Sequence, residues 1–161
     1  MPDKSNPYQD AADVLLRETG CTVRKWRQNT TGTAYTKSDD WGIESPRPRG
    51  PLSFAVFAHE VGHQLLHRHN SAPRWLEEIE AWEYALEQFD RFELDGKDDA
   101  QTRGAKSLRY AAHKASQRCS PATAYAILER MPLWVDADLA DPRFASSDVW
   151  QRLLAIFEAA A

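Results

Sequence analysis

Residues 54–65 constrain the chain most. Phe54, Phe57, Ala58, Val61 and Leu65 recur at helical spacing and form one apolar stripe, so the segment reads as a helix with one face in a core. His59 and His63 project from nearly the opposite face, with Glu60 between them, in the run His59-Glu60-Val61-Gly62-His63. Residues four apart on a helix differ by about 40° in azimuth and about 6 Å along the axis. Two imidazoles so placed can close on one Zn²⁺, and the intervening carboxylate can take a proton from water whose pKa the metal has lowered. H-E-x-x-H arises in roughly one shuffled chain in a hundred, so the helical context carries as much weight as the motif itself.

The rest of the chain bounds what surrounds that helix. With 161 residues, 42% of them hydrophobic and 27% charged, it fits one domain with one core. A formal charge of −4 argues against non-specific binding of nucleic acid by the whole surface. Cys21 and Cys119 are too few for a disulfide framework and read as thiols in a reducing compartment. The N-terminus has no apolar leader, and the longest apolar run, residues 54–58, is far shorter than a membrane span; a soluble cytoplasmic protein is expected.

Periodicity and turn residues predict a helix over 8–19 ended by Gly20, and strands over 22–28, 33–37 and 41–44. Turns at Thr31-Gly32 and Ser38-Asp39-Asp40 predict an antiparallel meander. Residues 45–51, with three prolines, predict irregular chain. Helices are expected over 53–68 and 73–92, the second with an apolar stripe of Trp75, Ile79, Trp82, Leu86 and Phe89, then over 104–118, 121–130 and 147–159. Residues 96–99 read as a polar break. The fold class is therefore α+β: an N-terminal helix, a small antiparallel three-stranded sheet packed on the histidine helix, and a mainly helical C-terminal half. One domain is expected, with residues 10–92 as its core and 93–161 as a helical extension.

A catalytic zinc normally takes three protein ligands and keeps an open position. His69 stands ten residues after His59, the spacing of H-E-x-x-H-x-x-G-x-x-H, but Leu66 occupies the position where that pattern breaks the helix with glycine. Glu80 lies on the next helix, on the face away from Trp75, and can meet the metal while the apolar stripe stays in the core. Glu78 and Glu83 lie nearer the edges of that stripe. Periodicity alone leaves Glu77 and Glu87 as rivals to Glu80, because residues 76–99 carry ten acids against two bases.

At this level the sequence resembles the ImmA/IrrE-type metallopeptidases, a gluzincin-like family. His59-Glu60-Val61-Gly62-His63-Gln64-Leu65-Leu66-His67 is similar to that family's H-E-[LIV]-G-H-x-L-L-H, and Glu78-Ile79-Glu80-Ala81-Trp82-Glu83-Tyr84-Ala85 to its E-x-E-A-N-x-F-A. Gly32-Thr33-Ala34-Tyr35 and the order helix, strands, zinc helix are similar too, so the resemblance spans about residues 10–90. It implies a zinc peptidase with His59, His63 and Glu80 as ligands and Glu60 as general base. It also implies limited cleavage of another protein, such as a transcriptional repressor or a phage- or plasmid-encoded regulator. Trp82 and Tyr84 depart from the family's Asn and Phe, and acidic residues 87–95 replace its apolar continuation.

Other residues have plainer readings. His67 is about 12 Å along the axis from His59 and cannot share its metal; hydrogen bonding or capping is expected of it. Gly62, inside a helix, suits a close neighbour or simple tolerance. Tyr35, Tyr84, Tyr110 and His113 are the residue types able to stabilise an oxyanion. Arg24-Lys25-Trp26-Arg27 is basic, as is 101–118, where Arg103, Lys106, Arg109, Lys114 and Arg118 stand with no acid. These either complement the acidic stretch or dock a nucleic acid or acidic partner, which defines the alternative to a peptidase: a zinc-containing binding module.

Overall fold

Asn6 starts the first element. Its side-chain oxygen accepts from the amides of Tyr8 and Gln9, and α1 (Pro7–Thr19) runs from there to Gly20, whose left-handed φ of 67° returns its N–H to the Leu16 carbonyl. The computed structural model describes residues 5–37, 41–69, 72–136 and 147–160. After α1 come β1 (Val23–Arg27), β2 (Thr33–Tyr35), β3 (Gly42–Pro46), α2 (Pro51–His67), α3 (Arg74–Arg91), α4 (Lys97–Ser116), α5 (Pro121–Arg130), the short α6 (Leu133–Asp136) and α7 (Ser147–Glu158). The α+β class and the order of helix, strands, helices are those expected. The predicted turn at 38–40 lies outside the described residues.

The sheet is mixed, not an antiparallel meander. Its order is β1-β3-β2, with β3 parallel to β1 and antiparallel to β2. Burial explains the exchange: Gly42, Ile43, Ser45 and Pro46 of β3 are buried, whereas β1 and β2 are at most half-buried. A meander would have put three-residue β2 in the centre. Placing β3 there covers the most apolar strand on both edges and leaves the two polar strands outside.

The proline-rich stretch is also more regular than expected. Pro46 closes β3 opposite Arg27, at a strand end where a missing N–H does little harm. Pro51 is the first residue of α2, and Ser53 Oγ accepts from the amides of Arg49 and Gly50. At the polar break, α4 begins directly at Lys97, with Asp98 and Asp99 in its first turn where the helix dipole favours acids.

Contacts divide the chain into two compact units, residues 1–72 with 80–100, and residues 73–79 with 101–161. The division crosses α3 and α4, each an unbroken helix. In the first unit α2 packs on β3, β2 and α1, and it is buried almost all round: every residue from Phe54 to Gln64 is inside. Phe54 meets Phe89 of α3 edge-on at 5.3 Å between ring centroids. Leu65, expected in the apolar stripe, is instead half-exposed. In the second unit α5 packs on α7, with Ala124, Ile127, Val149, Trp150 and Leu153 buried. No helix among the described residues is long and apolar enough to cross a membrane.

Candidate metal centre

Helix α2 holds His59 and His63 one turn apart, both buried, with their Nε2 atoms 3.1 Å from each other. Two nitrogens bound to one tetrahedral zinc at about 2.05 Å stand about 3.3 Å apart, so the pair is already spaced as two ligands. Trp82 of α3 fixes the first ring. Its indole stacks on His59 at 4.3 Å between centroids and 27° between planes.

Glu78 is the carboxylate that stands with them. One ligand atom from each of His59, His63 and Glu78 lies within 4.8 Å of the other two, and all three residues are buried. Two imidazoles and a carboxylate are the donor set of many catalytic zinc sites, so these residues fit the metal the sequence suggests. Glu78 is further held by Arg74, whose Nη2 lies 2.7 Å from its Oε1, and it accepts from Ser107 Oγ at 3.4 Å. These contacts hold the carboxylate in place, as groups around a metal ligand would.

Glu80, the ligand that the resemblance implied, is not in this group. Positions 78 and 80 differ by about 200° around a helix, so only one of them can face His59 and His63. Glu80 is about one-third exposed, and its Oε2 lies 3.7 Å from Nε2 of buried His67. His67 therefore pairs with the next helix at the end of α2, where a basic group suits the helix dipole. His69 lies beyond α2, exposed, at a left-handed φ of 68°. Neither Glu77 nor Glu87 belongs to the group: Glu77 is 3.5 Å from Arg74 and Glu87 is exposed.

Glu60 is buried beside the two histidines. The backbone of Gly32, just before β2, lies against its carboxylate: a Cβ there would be 2.5 Å from Glu60 Cγ and Oε1 and 2.7 Å from Cδ. Any side chain at 32 would displace the Glu60 carboxylate or the strand. Gln64 holds α2 in that register. Its amide donates to the Tyr35 carbonyl of β2, and its oxygen accepts from Gly42 N of β3 at 3.4 Å. Gly62 serves the other side of the helix. A Cβ at 62 would be 3.0 Å from Tyr84 Cδ1 and 3.2 Å from the Ala81 carbonyl oxygen, so the close-neighbour reading holds.

Of the four oxyanion candidates, Tyr35 donates to Glu44 Oε1 at 3.0 Å, which raises its pKa, while Tyr110 and His113 are exposed on α4. Tyr84 packs against Gly62, and burial raises its pKa.

Glu78, Gln64 and Gly32 were not singled out as site residues from sequence. Glu78 had a readable signal: it stands four, seven and eleven residues before Trp82, Ala85 and Phe89, in a row that is otherwise buried and apolar. A carboxylate in such a row needs a strong partner. No family model matches the sequence, and no curated protein or solved structure matches it either.

Proposed function

We propose that the chain is a zinc-dependent peptidase of the ImmA/IrrE-like kind, cutting a peptide bond in a protein substrate. The observation that carries this reading is a buried glutamate, Glu60, flanked on one helix by two imidazoles spaced for a single metal. His59, His63 and Glu78 would hold the zinc. When bound, Zn²⁺ supplies Lewis acidity, which polarises a carbonyl and lowers the pKa of water towards neutrality. Glu60 accepts the proton of the attacking water and delivers it to the amine that leaves, so one carboxylate serves as base and then as acid. Gly32 keeps that carboxylate in place, and Trp82 and Arg74 hold ligands in theirs.

Among the described residues strand β2 is an edge strand, paired with β3, and Gly32 at its start touches the base. An extended peptide added along β2 would pass the catalytic carboxylate. A DNA-binding regulator is the substrate class that the family resemblance suggests. A reducing, cytoplasmic setting suits Cys21 and Cys119, both free thiols.

Elemental analysis of purified protein tests the site. One zinc per chain is expected in wild type, lost in Glu78→Ala and kept in Glu80→Ala and His69→Ala. Glu60→Gln should keep the metal and stop hydrolysis of a mixed peptide library. A wild-type protein that takes up no zinc on reconstitution, or a Glu60→Gln variant that still cleaves, would overturn the reading.

Helix α4 supports a second reading, docking to nucleic acid. Tyr110, His113 and Lys114 are exposed on it and Arg118 is exposed just beyond its end, and Lys114 Nζ sits 4.9 Å from the Tyr110 ring centre. Residues 101–118 carry no acid. Phosphates would meet the cations and a base could stack on the tyrosine.

A further inference from the structure

Strand β1 and the turn after it build a second concave feature in the first unit. A cleft of about 240 Å³ opens between the end of β1, the end of β3 and the start of α2. Three of its lining residues are arginines, Arg27, Arg47 and Arg49, and among the described residues no carboxylate lines it. Thr30 and Ser53 add hydroxyls, and Trp26 supplies an apolar wall.

The wall and one cation are rigidly held. Trp26 stacks on Phe57 of α2 at 6.3 Å between centroids, and the Arg47 guanidinium lies 5.2 Å from the Trp26 ring centre. Arg27 donates from Nε to Glu44 at 3.0 Å, from Nη1 to Thr31 at 3.0 Å and from Nη2 to Thr33 at 2.8 Å. Glu44 offsets part of that charge from outside the cleft. Arg47 and Arg49 are exposed, and no carboxylate stands between them and a ligand in the cleft.

The cleft is close to the catalytic base. Thr30 lines it, and Gly32, two residues on, touches Glu60. Two residues span at most about 7 Å, so a peptide that presents a bond to Glu60 reaches the cleft within a few residues. The volume is below that of an ordinary small-molecule site and suits one side chain. Guanidinium groups recognise carboxylates by charge-assisted, often bidentate hydrogen bonds.

We propose that this cleft is a substrate subsite for an acidic side chain, so that the peptidase prefers peptides with Asp or Glu a few residues from the bond it cuts. The proposal rests on the reading of Glu60 as the base. A single strand of nucleic acid is the competing ligand for a basic, aromatic-walled surface, but it would need several phosphate contacts along a groove, and the cleft is a pocket.

The test measures binding separately from cleavage. A fluorescein-labelled peptide of alternating alanine and glutamate is titrated by anisotropy at low salt, beside its alanine–glutamine counterpart. The glutamate peptide should bind at least about tenfold more tightly, the worth of one charge-assisted contact. The preference should vanish in Arg47→Ala/Arg49→Ala and fall in the single variant Arg49→Glu. Both positions are exposed, and circular dichroism should show an unchanged fold. Equal binding of the two peptides, a preference that survives the double substitution, or tighter binding of an oligothymidylate of equal length would overturn the proposal. The zinc-loaded protein is then given a mixed peptide library, where acidic residues should be enriched near the cut. A glutamate preference without any cleavage would uphold the cleft as a binding site for acidic side chains and end the peptidase reading instead.

Discussion

Replacing Gly32 by alanine puts a methyl group where the structure already has a carboxylate. The new Cβ would stand 2.5 Å from Glu60 Cγ and Oε1, against an ordinary carbon–carbon contact of about 3.5–4.0 Å. Something must move by about 1 Å: the Glu60 side chain out of its rotamer, or the start of β2 away from α2. Overpacking of this kind costs about 1–3 kcal/mol. The backbone itself raises no objection, because the positive φ values among the described glycines belong to Gly20, Gly42 and Gly96. In a Glu60→Ala background the obstructing atoms are gone, and the same Gly32→Ala change should be neutral or should stabilise by about 0.4–1 kcal/mol through the unfolded chain. The coupling between the two positions is therefore about 1–4 kcal/mol. Urea unfolding of the four proteins measures it, with the midpoint of Gly32→Ala falling by roughly 1 M in the wild-type background alone. In catalysis, a base displaced by about 1 Å should cost about a hundredfold in kcat with zinc content unchanged. If Gly32→Ala costs the same in both backgrounds to within about 0.5 kcal/mol, the contact does not exist as described and the role given to Gly32 is wrong.

At Gly62 a larger side chain meets the Ala81 backbone and the Tyr84 ring, so Gly62→Val should lose about 1–3 kcal/mol. Gly62→Ala should change little, since a helix-propensity gain of about 1 kcal/mol offsets the crowding; thermal unfolding separates the two. Trp82→Ala should cost about 3–5 kcal/mol as a core truncation and weaken zinc about 10–100-fold by releasing the His59 ring, which competition with a chelator reads. Burial pushes the Cys21 thiol up to about 11 from 9.0. The unfolded chain then ionises first as pH rises, so stability present below pH 9 is lost between about 9 and 11, by about 2 kcal/mol, and Cys21→Ala should remove that part of the alkaline loss in urea titrations. If α4 docks nucleic acid, Lys114→Glu with Arg118→Glu should weaken duplex binding and lower its salt slope by about two, whereas Glu60→Gln should leave both unchanged in an anisotropy titration.

Local chemistry made most elements legible. Asn6 and Gly20 bracket α1, and Ser120 caps α5 by accepting from the Thr123 amide, just where cap residues and prolines predict boundaries. Strand pairing is a different kind of information. Turn residues at 31–32 say where the chain reverses, but not which strand ends in the middle. That choice was made by burial, because Ile43 and its neighbours gain most from having both edges covered. The same effect misplaced Leu65: a helix covered by a sheet on one side and helices on others has no single apolar stripe, so the side of α2 facing water is set by what packs there.

Burial also accounts for Glu78, rather than Glu80, standing in the group with His59 and His63. The resemblance implied Glu80, and periodicity allowed it, because Glu80 lies on the face of α3 away from Trp75 and can meet a metal while the apolar stripe stays in the core. The two histidines are instead buried, and Trp82, counted as core, forms their wall. A site walled by core residues takes its third donor from the core row, one turn before Trp82, where Glu78 stands with Arg74 and Ser107 behind it. A carboxylate out of water needs a cation, and a metal shared with two imidazoles would be a stronger one than Arg74 alone, which is largely exposed. On this argument Glu78→Gln, which keeps the volume and removes the charge, should fold well without metal and lose most of the stability that zinc adds to wild type, whereas Glu80→Gln should respond to zinc as wild type does. Thermal unfolding with and without zinc distinguishes the two carboxylates, and an equal zinc response in both variants would mean that the centre takes its charge from elsewhere.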